Sequence, residues 1–170
     1  MIITPILKIK MKKNKKIILG IDPGIADMGF GIIEKDGPRL KALDYGSIKT
    51  KSKLTDEIRL KQIKEELDKI FIKYKPDCVA IEKLFFCNNA KTAFAVGQAR
   101  GVAVLCAGQY CLSVQEFTPL QVKIALTGYG KADKKQIQQM IKIVLGLKEI
   151  PKPDDAADAL AIAVCGANMI

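Results

Sequence analysis

The chain has 170 residues, 49% of them apolar, with 28 Lys and Arg against 18 Asp and Glu for a net charge of +10. That length and composition fit one globular domain burying roughly 70% of its unfolded surface, and they exclude global disorder. The absence of His excludes a Ser-His-Asp triad, a Cys-His pair, an HExxH zinc helix and any His general base, leaving carboxylates, lysines, hydroxyls, thiols or a bound ion.

Residues 1–16 hold six lysines and no acid, which leaves +4 for residues 17–170. We read 1–16 as a Lys-rich N-terminal arm, either mobile and solvated or a binding element, and 17–170 as one domain. A body at +4 still leans towards an anionic partner such as nucleic acid. The apolar run Ile2–Ile9 is broken by Pro5 and Lys8 and fits neither a signal peptide nor a membrane span, so no membrane role is expected.

Lys16–Ile21 is a short apolar run stopped by Asp22-Pro23-Gly24, the pattern of a buried strand ending in a turn. Met28–Glu34 and Leu40–Ser47 flank Asp36-Gly37, a hairpin signal. Leu54–Tyr74 carries apolar residues at helical spacing among charges and is stopped by Pro76. Cys78–Ile81 is a second buried strand, Asn88–Gly108 an Ala-rich buried helix and Leu112–Phe117 a fifth strand. Pro119–Leu126 is a short helix ended by Thr127-Gly128-Tyr129-Gly130. Ile137, Met140, Ile141, Val144 and Leu145 match the amphipathic template, with Gly146 as a C-terminal cap. Asp154–Asn168 is a final helix, apolar nearly all round. The order β-β-β-α-β-α-β-α-α-α implies an α/β fold, a five-stranded mixed sheet with helices on both faces. The five cysteines at 78, 87, 106, 111 and 165 lack any C-x-x-C spacing, which suits reduced thiols in a cytosolic, cytoplasmic protein.

Four carboxylates interrupt apolar elements. Asp22 ends the first strand, where open α/β sheets place their sites; it is equally competent as a turn starter before Pro-Gly. Glu82 follows Cys-Val-Ala-Ile and is either a site residue or the partner of Lys83 in a rim salt bridge. Asp154 and Asp155 start the final helix, where the dipole favours acids without any function. Asp158 lies deeper, among Ala156, Ala157, Ala159, Leu160, Ala161 and Ile162, where an unpaired carboxylate costs several kcal/mol. Asp155 and Asp158 are three apart and share a helical face, so the pair calls for a cation, either Lys or a divalent metal. Oxygen-only ligands select Mg²⁺ or Mn²⁺. Two such ions can activate water and stabilise the leaving oxygen of a phosphodiester without a His base. Spacing alone leaves scattered salt bridges as the alternative.

Lys131, Lys134 and Lys135 stand at the start of a helix, against its dipole, and make sense either as a solvated end or as an anion site. Lys123, a turn earlier, extends that basic track. Leu84-Phe85-Phe86 follows Glu82 directly; such a triplet is either core or an aromatic beside the site that can stack on an unpaired base.

Together these residues resemble the RuvC family of Holliday-junction resolvases, within the ribonuclease-H-like fold. The resemblance spans about residues 17–165. Ile18-Leu19-Gly20-Ile21-Asp22-Pro23-Gly24, Ala80-Ile81-Glu82, Gly97-Gln98-Ala99-Arg100-Gly101 and Asp154-Asp155-Ala156-Ala157-Asp158-Ala159-Leu160-Ala161 carry it. It implies that Asp22, Glu82, Asp155 and Asp158 are the catalytic, metal-binding tetrad, holding two Mg²⁺ ions with Mn²⁺ able to substitute, and that Asp154 is a helix-cap acid outside it. It implies DNA contacts from Phe85, Lys123 and Lys134. It implies a homodimer packed through the helix of Gly97–Gly101, paired symmetric nicks in four-way junction DNA during recombination and repair, and co-operation with the RuvA–RuvB branch-migration complex. This chain departs from the family at Ile25, where many relatives carry a small hydroxyl residue, at Asp27, an additional acid, and at Lys83 in place of a frequent Gln. Asp155 stands where some relatives use His, and the lysine arm before Met11 has no expected counterpart.

Two other classes compete. A catalytically silent junction-binding module gives no reason for Asp158, because acids repel phosphate. An actin-like phosphotransferase needs a second domain for which 170 residues leave no room, and Gly20, Gly24, Gly29 and Gly31 lack dinucleotide-loop spacing. A relative acting on branched RNA or other DNA structures is the runner-up.

Overall fold

The computed structural model describes residues 15–83 and 90–170. Within them the elements run β1 (Lys15–Asp22), β2 (Asp27–Asp36), β3 (Arg39–Lys49), α1 (Asp56–Tyr74), β4 (Cys78–Glu82), α2 (Ala90–Gln109), β5 (Val114–Phe117), α3 (Pro119–Thr127), α4 (Lys134–Val144) and α5 (Asp154–Ala167). This is the expected order. The sheet reads β3-β2-β1-β4-β5, with β1, β2 and β3 antiparallel and β4 and β5 running parallel to β1.

Local signals explain most boundaries. The β2–β3 hairpin turns on Gly37-Pro38, with Gly37 at φ 59°, a left-handed value that glycine meets without a Cβ clash. The α4 helix opens with a capping box between Asp133 and Gln136. Leu147 N–H bonds back to the Lys142 carbonyl and Gly146 N–H to Ile143, an αL-terminated helix end. Several boundaries shift by one or two residues. The first strand gains Lys15 and Asp22 at its ends, and its two leading lysines, Lys15 and Lys16, pair with Glu34 at 3.0 Å and Asp77 at 3.3 Å. The fifth begins at Val114, because Leu112 N–H is taken by the Ala107 carbonyl at the end of α2.

Residue alternation assigns the two faces of the sheet. Leu19, Ile21, Ile32, Val79 and Ile81 are buried with α1 and α2, whereas Ile18, Ile33, Cys78 and Ala80 are buried with α3, α4 and α5. On the second face the sheet is glycine where α5 crosses it. A Cβ on Gly20 would lie 2.1 Å from the Ala159 carbonyl oxygen, and one on Gly31 2.8 Å from the Leu160 amide nitrogen. From the other side, α5 offers Ala156, Ala157, Ala159, Ala161 and Ala163, all buried. Small residues on both surfaces let the helix backbone rest directly on β1 and β2. Cys78, Cys106 and Cys165 are buried free thiols and Cys111 an exposed one; Cys87 lies outside the described residues. Among the described helices, none is long and apolar enough to cross a membrane.

Candidate active site

Three segments bring their acids to one end of the α5 face. β1 and β4 run parallel with Ile21 opposite Ile81, so Asp22 and Glu82 follow as neighbours at the last positions of the two strands. By strand alternation both continue the face of Ile18 and Ala80, under α5. The third contribution comes from α5 itself. Asp22 is opposite Gly29 on β2, and a Cβ on Gly29 would lie 2.0 Å from the Asp155 carbonyl oxygen. The missing side chain at Gly29 thus lets Asp155 sit over the strand pair that carries Asp22. One turn on, Asp158 shares a cleft of about 230 Å³ with Glu82, Lys123, Lys134, Val122 and Ile137.

The electrostatics report the same convergence. Burial pushes the Asp22 carboxyl up to about 8, helped by the charges of Glu82, Asp158 and Asp155 and opposed by Lys134. Glu82 is raised by burial and then by Asp158. Asp158 is raised by burial, with Lys134 working against the shift. Lys134 is the cation within reach: its Nζ lies 3.0 Å from Asp154 Oδ2 and 3.4 Å from Asp158 Oδ2. Partial burial works against its charge, but the two acids outweigh this and hold its ammonium above the usual lysine value.

A test follows from Asp22. The unfolded chain ionises this carboxyl near 3.8, the folded chain near 8. Between these values the folded protein keeps a proton that the unfolded chain has lost. The contribution to stability is therefore full below about pH 4 and is lost as pH rises through about 8. Each pH unit separating the two values is worth about 1.4 kcal/mol, so the tilt amounts to several kcal/mol. In EDTA, Tm is expected to fall as pH is raised from roughly 5 to 8.5, and Asp22→Asn to flatten that fall. Equal slopes in the two proteins would contradict the cluster.

Each expected residue can now be placed. Asp22, Glu82, Asp155 and Asp158 are brought to the same end of the α5 face, although Asp158 is 38% exposed rather than sunk in the core. Asp154, Asp155 and Asp158 lie on the less buried side of the first turns of α5, whereas Ala156, Ala157 and Ala159 on its other side are buried. Among the described residues no three acids stand close enough together to enclose an ion as placed; Asp158 is turned towards Lys134. Asp154 does not cap its helix. Pro153 occupies the cap, and the Asp154 carboxylate instead bonds Lys134 and, at 3.0 Å, Gln138. The Lys134 hydrogen bond holds it below the usual carboxylate range.

Of the lysines, Lys123 and Lys134 line the acidic cleft, whereas Lys135 lines a neighbouring groove of about 440 Å³ with Tyr129 and Met140. Lys131 is exposed. The α4 N-terminus is already bonded to the Asp133 side chain, which offsets its dipole and weakens it as an anion site. Phe85 lies outside the described residues. Ile25, a departure from the family pattern, is buried in the α1/α2 core, so its side chain turns away from the acids. Gly20, Gly29 and Gly31 were legible only as wrongly spaced for a dinucleotide loop. The signal they did carry is glycine inside a strand, which marks close backbone approach.

A family model described as Crossover junction endodeoxyribonuclease RuvC matches residues 18–166. The chain belongs to the RuvC family. It is 58% identical over 152 residues to the crossover junction endodeoxyribonuclease RuvC of Alkaliphilus metalliredigens, covering 89% of this chain and 93% of that protein. The Alkaliphilus oremlandii RuvC is 59% identical over the same shares. Among solved structures, T. thermophilus RuvC in complex with Holliday junction substrate superposes with a TM-score of 0.85 at 35% identity, covering 89% of this chain and 93% of that chain. The yeast mitochondrial Holliday junction resolvase Ydc2, at 11% identity and a TM-score of 0.65, shares the fold alone. RuvC membership gives the acidic cleft its chemical context.

Proposed function

We propose that this chain resolves four-way DNA junctions by paired, symmetric phosphodiester hydrolysis, with Asp22, Glu82, Asp155 and Asp158 as the ligands of Mg²⁺. It is a crossover junction endodeoxyribonuclease acting in DNA recombination and repair. What supports the site assignment is the meeting of acids from β1, β4 and α5 at one end of one sheet face. The donor set fits the metal in its chemistry, since it is all oxygen, and burial together with the charges of Glu82, Asp158 and Asp155 holds the Asp22 carboxyl well above its usual value. Two such ions, when bound, lower the pKa of water and stabilise the leaving oxygen. The chain's own residues supply the rest. Asp22 and Glu82 are fixed by a paired sheet, which spares reorganisation at the moment of reaction. Lys134 and Lys123 line the cleft that holds Glu82 and Asp158, placed to neutralise phosphate oxygens next to the acids. Phe85, Lys131 and Lys135 are proposed DNA contacts further out.

A junction needs two cuts and one site makes one, so the working unit is a homodimer. One face of α2 supports this: Phe94, Gly101, Leu105 and Gly108 are all exposed, at spacings of seven, four and three, the rhythm of a helix–helix seam. We place the dimer in the cytoplasm, acting on junctions moved by the RuvA–RuvB complex; because β1 takes in Lys15 and Lys16, the proposed Lys-rich arm outside the nuclease domain shortens to residues 1–14.

The deciding experiment maps nicks on a mobile four-way junction with Mg²⁺. Paired cuts at symmetric positions in strands of like polarity are expected. A gel shift without product would instead support the silent binding module.

A further inference from the structure

The turn between β1 and β2 carries Pro23 and Gly24 directly after Asp22, and Thr50, far from it in sequence, holds its backbone. Thr50, just past the end of β3, donates its hydroxyl proton to the Ile25 carbonyl at 2.5 Å. Its own amide donates to the Ala26 carbonyl at 3.0 Å. One residue thus captures two successive carbonyls of the turn. Thr50 is held in its place from α1, where Arg59 donates Nε–H to the same hydroxyl oxygen at 2.8 Å. The Arg59 side chain is only 11% exposed and its guanidinium also reaches Asp56 at 3.5 Å. The hydroxyl acts as acceptor towards Arg59 and donor towards Ile25, so neither partner can be served by a methyl group. On the other side of the turn the Ile25 side chain is buried in the α1/α2 core. A Cβ on Gly24 would lie 2.1 Å from the Asp27 carbonyl oxygen, so the turn is closed tightly on itself.

We infer that Thr50 and Arg59 are positioning residues for Asp22, acting through the backbone of residues 23–26 to set where that carboxylate meets its metal. The inference rests on the proposed role of Asp22. The physical need is plain. A carboxylate on a short side chain has two torsions, so its reach is set by the backbone that carries it. β1 ends at Asp22, and past that point no ladder hydrogen bonds continue to hold the chain until β2 begins at Asp27. The Arg59–Thr50–Ile25 chain of hydrogen bonds takes over where the sheet stops. Groups bonded directly to a metal ligand typically govern metal affinity or activity by about 10- to 100-fold; Thr50 acts at a further remove, through the Ile25 and Ala26 carbonyls, so the lower end of that range is expected.

The test uses Thr50→Val, which keeps the shape and removes the hydroxyl, with Thr50→Ser as the conservative variant, both in the full chain. Two quantities are read. Without DNA, the Mg²⁺ concentration that raises Tm half-way reports metal binding through its linkage to folding. With junction, kcat and KM are measured well below Tm. For Thr50→Val the Mg²⁺ midpoint is expected to rise about tenfold and kcat at fixed Mg²⁺ to fall about tenfold, with KM for junction unchanged. Thr50→Ser is expected to restore both, and Arg59→Ala to reproduce the Thr50→Val pattern more weakly. If Thr50→Val lowers Tm but leaves the Mg²⁺ midpoint and kcat at their original values, the clamp is structural only and the inference falls. Failure of Thr50→Ser to rescue overturns it as well. Asp22→Asn separates this from the parent reading: full cleavage by that variant defeats the metal assignment itself, whereas an inactive Asp22→Asn beside a normal Thr50→Val defeats only the clamp.

Discussion

Asp22→Asn and Asp158→Asn are each expected to lower junction cleavage by about three orders of magnitude or more, with junction affinity within a few-fold of the original. Three decades correspond to about 4 kcal/mol of transition-state stabilisation, the scale expected when a metal that supplies several kcal/mol is lost or misplaced. The amide keeps the shape of the carboxylate and removes its charge. Removal also lessens the repulsion between these acids and an incoming phosphate, so binding has no reason to weaken. The two variants differ in one respect. Asp158→Asn frees Lys134 from one of its two acids and so is expected to bind junction slightly more tightly than Asp22→Asn. Measurement is by single-turnover cleavage of a labelled junction with Mg²⁺, next to a binding titration in Ca²⁺ or EDTA. Normal cutting by either variant would end the tetrad assignment.

Gly20→Ala is the second large effect, and it acts through packing. Its new methyl group would meet the Ala159 carbonyl at 2.1 Å, the Ala163 amide at 2.6 Å and the Ala163 Cβ at 2.8 Å. Two of the three are backbone atoms of a buried helix, which no rotamer change can move. The helix must lift from β1, and overpacking of this kind costs about 3 kcal/mol, or roughly 6–12 °C in Tm for a chain of this size. Because α5 also carries Asp155 and Asp158, cleavage is expected to drop beyond what the lost stability explains, measured well below the new Tm. Gly37→Ala is the control. Its Cβ would meet nothing within 4 Å, and only the left-handed φ opposes it, so cleavage by the folded protein is unaffected. A Gly20→Ala protein with unchanged Tm would mean that α5 does not rest on β1.

Much of this protein follows from local pattern. The period of α4, the Asp36-Gly37 hairpin, the Pro76 stop and the alternation of buried strands are short-range signals, and each element appears where its residues demand. Asp22 at a strand end, Glu82 at another and Asp155 with Asp158 on one helical face are legible for the same reason, since each is a polar group out of place in an apolar run. What the chain alone does not reveal is where long-range partners stand. Whether Asp158 is sunk or open depends on which side of α5 rests on the sheet, and Lys134 belongs to the acids rather than to the start of its own helix only because α4 packs beside α5. Asp154 reads as a cap in one dimension and becomes the partner of Lys134 in three. Thr50 and Arg59 carry no local signal at all, being an ordinary hydroxyl after a strand and an ordinary arginine on a helix. Residue type and spacing record short-range energetics, so they specify the strands, the helices and the candidate acids. Hydrogen bonds and charge pairs between distant segments depend on how those pieces pack, and only the folded sheet with α5 upon it decided them.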